Sequence, residues 1–402
     1  MVNSFPRVKL NDVAHIVMGQ SPKGSTYNKV GDGIPLINGP TEFGSSHPMA
    51  ALWTTAPTKI CSKGDILFCV RGSTTGRMNW ADREYCIGRG IGAFRAKMDS
   101  TDTRFLWYNL IYELPRLLSL CAGSVFPNLA RQDFETFSLN WPDKTIRSAI
   151  SSILGALDDK IELNRKMNET LEAMARAIFK SWFVDFDPIP GLGPHKEWQD
   201  SQVGKIPKEW GISTLAEMCE VVMGQSPPGE TYNEIEEGLP FYQGIREFGF
   251  RAPSKRVYCT APTRFAEEGD VLLSVRAPVG SLNIASESCA IGRGVAALRI
   301  KGQHYGFLYY LMKETQWEWA KFEAVGTVFG AASKTDVQNF SAIFPPSQII
   351  SRFNEVVFPF DQKIMNNETQ SLTVATIRDT LLPKLLSGEI RVKDAAKLVD
   401  VA

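Results

Sequence analysis

VMGQSPKGSTYN at residues 17–28 returns as VMGQSPPGETYN at residues 222–233, with ten of twelve positions identical. Outward from there the register holds at an offset of 205. GIPLINGPTEFG (33–44) aligns with GLPFYQGIREFG (238–249), TAPTK (55–59) with TAPTR (260–264), and GDILFCVRG (64–72) with GDVLLSVRA (269–277). The offset falls to 204 at IGRG (87–90 and 291–294), then to 203 at GSVF and GTVF (123–126 and 326–329). A period of about 200 residues marks a tandem duplication of a whole domain with its tail, not a short stacked repeat.

Within each copy, short apolar runs such as 65–71 and 270–276 are set off by Gly and Pro turns, the pattern of β-strands. One helical stretch follows, near 103–122 and near 303–324. The fold class expected is α+β: two repeated strand-rich domains, at 1–145 and 206–345. After each domain the period changes. Ile150, Ile153, Leu157, Lys160, Asn164, Met167, Leu171, Met174 and Ile178 fall on 3-4 spacing, and so do Phe353, Val356, Phe360, Lys363, Asn367, Gln370, Val374, Ile377 and Leu381. A stripe repeating every 3.5 residues is a coiled-coil seam, and polar residues on it fix register at some cost in stability. The helical regions 146–205 and 346–402 are therefore expected to pair as two long antiparallel coiled-coil-like segments about a pseudo-two-fold axis. The other reading is that each helix docks only on its own domain. Gly155 and Pro359 point to a kink or a two-piece helix, and Pro383 to an end or bend. Residues 187–194, rich in Pro and Gly, open the linker into the second domain.

The composition is that of an ordinary globular protein, with 44% hydrophobic and 22% charged residues. No apolar run approaches a membrane span, and the amino terminus has no signal-peptide core. Seven cysteines, odd in number and without a C-x-x-C pair, fit reduced thiols of a cytoplasmic protein better than disulfides or a zinc site. Net charge is zero; residues 1–145 carry 16 Lys+Arg against 12 Asp+Glu (+4), and residues 206–345 carry 13 against 16 (−3). Charge alone does not suggest a nucleic acid partner.

The sequence contains no phosphate-binding G-x-x-x-x-G-K-[ST], no G-x-G-x-x-G opening, no G-x-S-x-G elbow and no H-E-x-x-H. Its four histidines (15, 47, 195, 304) do not recur at equivalent positions. Asp185 and Asp187, alternating with aromatics at a helix end, read as caps and anchors. Neither a catalytic nor a metal site is expected, and a hydrolytic enzyme is disfavoured.

The MGQSP loops, GIPLINGPTEFG, GDILFCVRGSTTG, IGRG, GSVFPNL and above all ILGALDDKIELNRKMNETLEAMARAIFKSWFVDFDP (153–188) resemble the specificity subunits of type I restriction-modification systems. The resemblance covers nearly the whole chain. It implies two target recognition domains, each reading one half of a split double-stranded DNA target. Helices of about 30 residues, roughly 45 Å long, would span more than the ~34 Å of one DNA turn. The resemblance also implies two modification (methyltransferase) subunits bound through the helices, together with restriction (translocase/nuclease) subunits. No cofactor is then expected in this chain, S-adenosylmethionine and ATP belonging to those partners. A protein-binding scaffold built from duplicated domains is the alternative.

Base readout needs Arg, Lys, Asn, Gln or Ser at loop tips. The candidates are Gln20, Ser21 and Lys23 with Gln225 and Ser226, although a Gly-Gln-Ser-Pro turn can also simply end a strand. Arg71, Ser73, Thr74 and Arg77 in RGSTTGRMN stand against RAPVGSLN after Arg276, one residue shorter and without the counterpart of Arg77. Arg246 differs from its partner in the first copy, whereas Arg89 and Arg293 repeat, as suits a phosphate contact or a structural role. Candidate helix-pairing residues are Ile153, Leu157, Lys160, Asn164, Leu171, Phe360, Lys363, Asn367 and Val374. The departure of GTVFGAASKTDVQNF (326–340) from GSVFPNLARQDFETF (123–137) predicts one fold with different contacts.

Overall fold

The sequence repeat is a structural repeat. In the computed structural model, which describes residues 5–121, 127–300, 305–323 and 330–400, each copy builds the same two sheets. The GSVF and GTVF segments lie outside the described residues. A four-stranded antiparallel sheet in the order Ala14–Met18, Ile91–Ala96, Ile66–Cys69, Met78–Trp80 recurs as Cys219–Met223, Val295–Ile300, Val271–Ser274, Leu282–Ile284. A five-stranded sheet accompanies each, with one parallel pair: Ile34–Ile37 with Tyr85–Ile87, and Leu239–Tyr242 with Cys289–Ile291. The expected first helix is Ser100–Ser119, its amino end capped by the Asp99 carboxylate accepting from Asp102 N at 2.9 Å. Its counterpart is shorter, Gly306–Glu314, and continues as the 3-10 turn Gln316–Phe322.

Two long helices follow, Lys144–Phe183 and Ser347–Ser387, each unbroken. The two-piece helix expected at Gly155 and Pro359 and the stop expected at Pro383 are not found. Both prolines point to solvent, while Phe353 and Val357, and Leu381, Leu382, Leu385 and Leu386, are buried on the inner face. Tertiary packing there offsets the backbone hydrogen bond that each proline removes.

The chain divides into two units, residues 1–162 with 371–402, and residues 163–370. Each holds one repeated domain and a part of both long helices. In the first unit, Asn140 Nδ2 donates to Leu386 O at 2.9 Å and Arg378 Nη1 to Asp158 Oδ1 at 2.7 Å, so the helices run antiparallel. In the second unit, Asn164 Nδ2 donates to Asn367 O at 3.2 Å and Gln370 Oε1 at 3.1 Å, and Asn367 Nδ2 to Asn168 Oδ1 at 2.8 Å. Phe179 and Trp182 then pack on Phe353 (5.6 and 6.0 Å), again antiparallel.

The seam differs from expectation in one consistent way. Its first row is as read: Ile150, Leu157 and Asn164 are buried, Leu171 half-buried, and so are Phe353 and Asn367 buried with Phe360 and Val374 half-buried. The second row lies one residue later. Leu154, Asn168 and Ala175 are buried where Ile153 and Met167 are half-buried and Met174 exposed; Val357 and Ile364 are buried where Val356 is half-buried and Lys363 exposed. Lys160 is half-buried beside the seam. Spacings of 3-4 and 4-3 cannot be separated by period when Ile153 and Leu154 are both apolar. Burial decides between them: Leu154 packs into the core of the first unit, and Asn168 accepts from Asn367 of the other helix.

The cores draw on the helices as well as the sheets. In the first unit Phe68, Phe94, Phe105 and Phe134 pack with Leu154, Leu157, Leu381 and Leu385; in the second Phe179, Phe183 and Phe353 join Leu273, Leu298 and Phe307. The segment expected as a linker is packed too. It carries the hairpin Trp198–Ser201 with Gly204–Pro207, and buries Ile189, Ile206 and Trp210. All seven cysteines are unpaired by disulfide, and burial pushes the thiols of Cys61, Cys219 and Cys289 up to about 12. At pH 8 these three stay protonated, and the thiolate is the nucleophile. Iodoacetamide mapped by mass spectrometry should therefore modify them only after denaturation; rapid labelling of the native chain would contradict their burial.

Candidate nucleic-acid interface

The strand ends of each copy bring the differing loops onto one surface. In the first unit, Gly19 N donates to Ile91 O and Gln20 N to Ile87 O, both at 2.9 Å, and Arg89 N donates to Ser21 Oγ at 3.3 Å. Only glycine fits at position 19, because a Cβ there would meet Gly88 O at 2.1 Å. The 38–41 loop joins through Gly88 N to Ile37 O at 2.8 Å, and a Cβ on Gly90 would meet Asn38 O at 2.6 Å. The loop after Arg71 joins through Val70 N to Gly90 O at 2.9 Å. Tyr27, half-buried, donates from its hydroxyl to Pro22 O at 3.2 Å and so braces the Gln-Ser-Pro turn.

The second unit repeats this stitching with different side chains. Gly224 N donates to Val295 O (2.9 Å), Gln225 N to Ile291 O (3.0 Å), Arg293 N to Ser226 Oγ (3.4 Å), Gly294 N to Gln243 O (3.1 Å) and Val275 N to Gly294 O (2.9 Å). Tyr232 holds Pro227 O at 2.7 Å.

Gln20, Ser21, Lys23, Arg71, Ser73, Arg77 and Arg89 are exposed, and Thr74 is half-buried beneath them, 3.6 Å from Cys69 Sγ. Gln225, Arg246, Arg276 and Arg293 are exposed in the second copy, with Ser226 half-buried. Arg77 closes the turn between Ile66–Cys69 and Met78–Trp80, its N donating to Thr74 O at 3.1 Å. Arg246 sits on the turn Ile245–Glu247 beside Gln243.

Two features of this surface escaped the sequence reading. Thr58 and Thr263 donate their hydroxyls to Gln20 O and Gln225 O, and Ile87 N and Ile291 N donate to Lys59 O and Arg264 O. Lys59 and Arg264, both exposed, therefore add one cation to the same place in each copy; the repeat of TAPT followed by a basic residue was the available signal. The second is Asn128. Its Oδ1 accepts from Arg71 Nε at 3.0 Å, across the bridge between residues 71 and 128. The equivalent bridge joins Arg276 to Ala331, which has no acceptor side chain. One guanidinium is thus held by a neighbour and its counterpart lacks that partner.

Guanidinium and carboxamide groups on loops anchored to sheet ends suit bidentate bonds to base edges, and further cations and hydroxyls suit phosphate oxygens. The paired acids at the end of the first long helix are anchors: Asp185 takes Lys180 Nζ at 2.6 Å and Asp187 takes Ser181 Oγ at 2.8 Å. Among the described residues no group of His, Cys, Asp or Glu is arranged to hold a metal ion, and no helix is long and apolar enough to cross a membrane.

A domain present twice, with one anchored polar loop surface per copy, defines the class by its fold as a tandem two-domain protein. The chain belongs to the type I restriction modification DNA specificity domain family, whose model matches residues 5–173 and again 207–374. It is similar to the type I restriction enzyme MjaIX specificity subunit of Methanocaldococcus jannaschii, 25% identical over 96% of this chain and 93% of that one. A second chain of that organism, provisionally designated the MjaX specificity subunit, is 32% identical over 61% of this chain and 57% of its own length. The HindI specificity subunit of Haemophilus influenzae is 24% identical over 83% and 88%. The crystal structure of the type I restriction-modification S subunit from M. genitalium shares the fold, with a TM-score of 0.58 at 19% identity over 96% of both chains. The chain is a specificity subunit with two repeated DNA specificity domains, a recognition component and not a catalytic one.

Proposed function

We propose that this chain reads a split double-stranded DNA target, one half-site per repeated domain, and holds modification and restriction subunits on it. The observation that carries this reading is the loop cluster built twice on one backbone with different exposed side chains, Lys23, Arg77 and Asn128 in one copy, Arg246 and Ala331 in the other. Two similar surfaces with different chemistry suit two related but unequal half-sites. The recognition domains are assigned to 1–145 and 206–345, and the helical regions 146–205 and 346–402 to spacing and partner docking. Methyl transfer from S-adenosylmethionine and ATP-driven steps are assigned to the partner subunits. Neutral overall charge fits a subunit whose partners supply much of the phosphate contact.

Co-expression with a modification subunit tests the reading. Co-purification of the two with methylation confined to one DNA sequence is expected. A stable complex that methylates without sequence preference, or no complex at all, would favour a protein-binding scaffold instead.

Asn128→Ala releases Arg71 and should weaken only the first-domain half-site, by the roughly 0.5–1.5 kcal/mol of a net hydrogen bond. Methylation competition between duplexes altered in one half-site at a time reads this out. Equal loss on both halves would contradict the assignment.

A further inference from the structure

The two units hold their domains on the helix pair by one shared device with its arginine drawn from different places. In the second unit Arg251 is fully buried. Its Nη1 donates to Asp361 Oδ1 at 2.6 Å, and its Nη2 to the Tyr310 hydroxyl at 3.0 Å and Glu172 Oε2 at 3.3 Å. The guanidinium stacks over the Tyr309 ring at 4.1 Å, and Tyr310 donates to Asp361 Oδ1 at 2.9 Å. Glu368 accepts from Arg251 N and Ala252 N, both at 3.1 Å. Glu172 belongs to the first long helix, Asp361 and Glu368 to the second. One domain loop is thereby tied to both helices.

In the first unit the tyrosine and aspartate are retained, with Tyr108 donating to Asp158 Oδ2 at 2.6 Å. The arginine on Asp158 is Arg378, from the other helix, at 2.7 Å, and the pair is about a quarter exposed, at 27% and 28%. By the repeat register, Ser46 stands opposite Arg251 and Ala175 opposite Arg378. Among the described residues, the Ser46 hydroxyl donates to one helix, to Glu162 Oε2 at 2.6 Å. The arginine that locks helix to helix in one unit locks domain to helices in the other.

We propose that Arg251 is a positioning residue that sets the attitude of the second recognition domain on the helices, and so the spacer length the complex accepts between half-sites. This rests on the split-target reading given above. Arg251 holds two carboxylates and a tyrosine hydroxyl through its Nη atoms, while its Nε and Asp361 Oδ2 have no hydrogen-bond partner among the described residues. A buried pair of this kind adds little net stability, and its contribution is the geometry it enforces. On the matching loop the first domain has the Ser46 bond in place of the arginine, and it is fastened elsewhere through Tyr108 on Asp158, Arg104 on Asp159 and Asp102 on Arg147.

The test uses the full complex with its modification subunit and duplexes carrying spacers of the cognate length, one base pair shorter and one longer. Arg251→Lys keeps the charge but loses the planar fork and the stacking. Leu272→Ala, a core truncation in the same unit, controls for general loosening. Since a misplacement of 1 Å can change a rate by about 100-fold, Arg251→Lys is expected to lower discrimination between cognate and altered spacers by about tenfold. Base preference at the second half-site should be retained, and Leu272→Ala should leave the ratio unchanged. Uniform loss on all spacers, or the same relaxation from Leu272→Ala, would reduce Arg251 to a structural role. Indifference of the unaltered complex to spacer length would instead overturn the split-target reading, and the proposal with it.

Discussion

Arg147→Met is expected to destabilise the first unit by about 3–5 kcal/mol, the usual cost of orphaning a buried charge. Arg147 grips Asp102 with both arms of its guanidinium, at 2.7 and 3.0 Å, and donates to Pro142 O at 2.6 Å. The Asp102 side chain is fully buried and that of Arg147 is 8% exposed, and the guanidinium lies 4.8 Å over the Trp141 ring. This pair fastens Ser100–Ser119 to the start of the first long helix. Urea unfolding should show the loss directly, and hydrogen exchange should quicken first in those two segments. The double variant Arg147→Met with Asp102→Leu should regain much of the stability, because an apolar pair leaves no charge unpaired. A single-variant cost below about 1 kcal/mol, as for an exposed pair, would contradict this role.

Arg77→Ala carries the second large effect, on recognition. Arg77 is exposed on a turn that the second copy shortens by one residue, and its neighbours fix the backbone through Cys69 N to Arg77 O at 2.8 Å. If it reads a base edge, its loss should remove about 1–3 kcal/mol of discrimination, roughly 5- to 150-fold, at one half-site only. Kinetics of methylation on paired half-site variants separate the halves. Uniform weakening across sequences, together with a shallower salt dependence, would assign Arg77 to a phosphate instead.

Which parts of this molecule were legible in sequence follows from the range of the forces concerned. The duplication was, because Gly19 and Gly224 are each forced by carbonyls lying where a side chain would stand. The first row of the helix seam was also legible, since Leu157, Asn164 and Asn367 are fixed by a period. The second row was not, because Ile153 and Leu154 are equally apolar neighbours and only burial against the domain chooses between them. Helix continuity through Pro359 and Pro383 was hidden for a similar reason, in that packing on the opposite face outweighs a local defect.

The candidate interface divides in the same way. Loops that differ in length or charge around Arg71 and Arg276 can be read directly from two aligned copies. The Asn128 contact spans 57 residues of chain and leaves no local pattern. The exchange of Arg251 for Arg378 is less legible still. At each aligned position the sequence shows an arginine lost to Ser46 or Ala175, and only the fold shows that one device lost its arginine in one element and gained it in another.

Mapping methylated bases across the genome of cells with and without this chain tests the central claim most directly. The account predicts that one motif disappears with the chain, made of two unequal parts separated by a spacer of fixed length and indifferent sequence. A contiguous motif, or an unchanged methylation pattern, would contradict it.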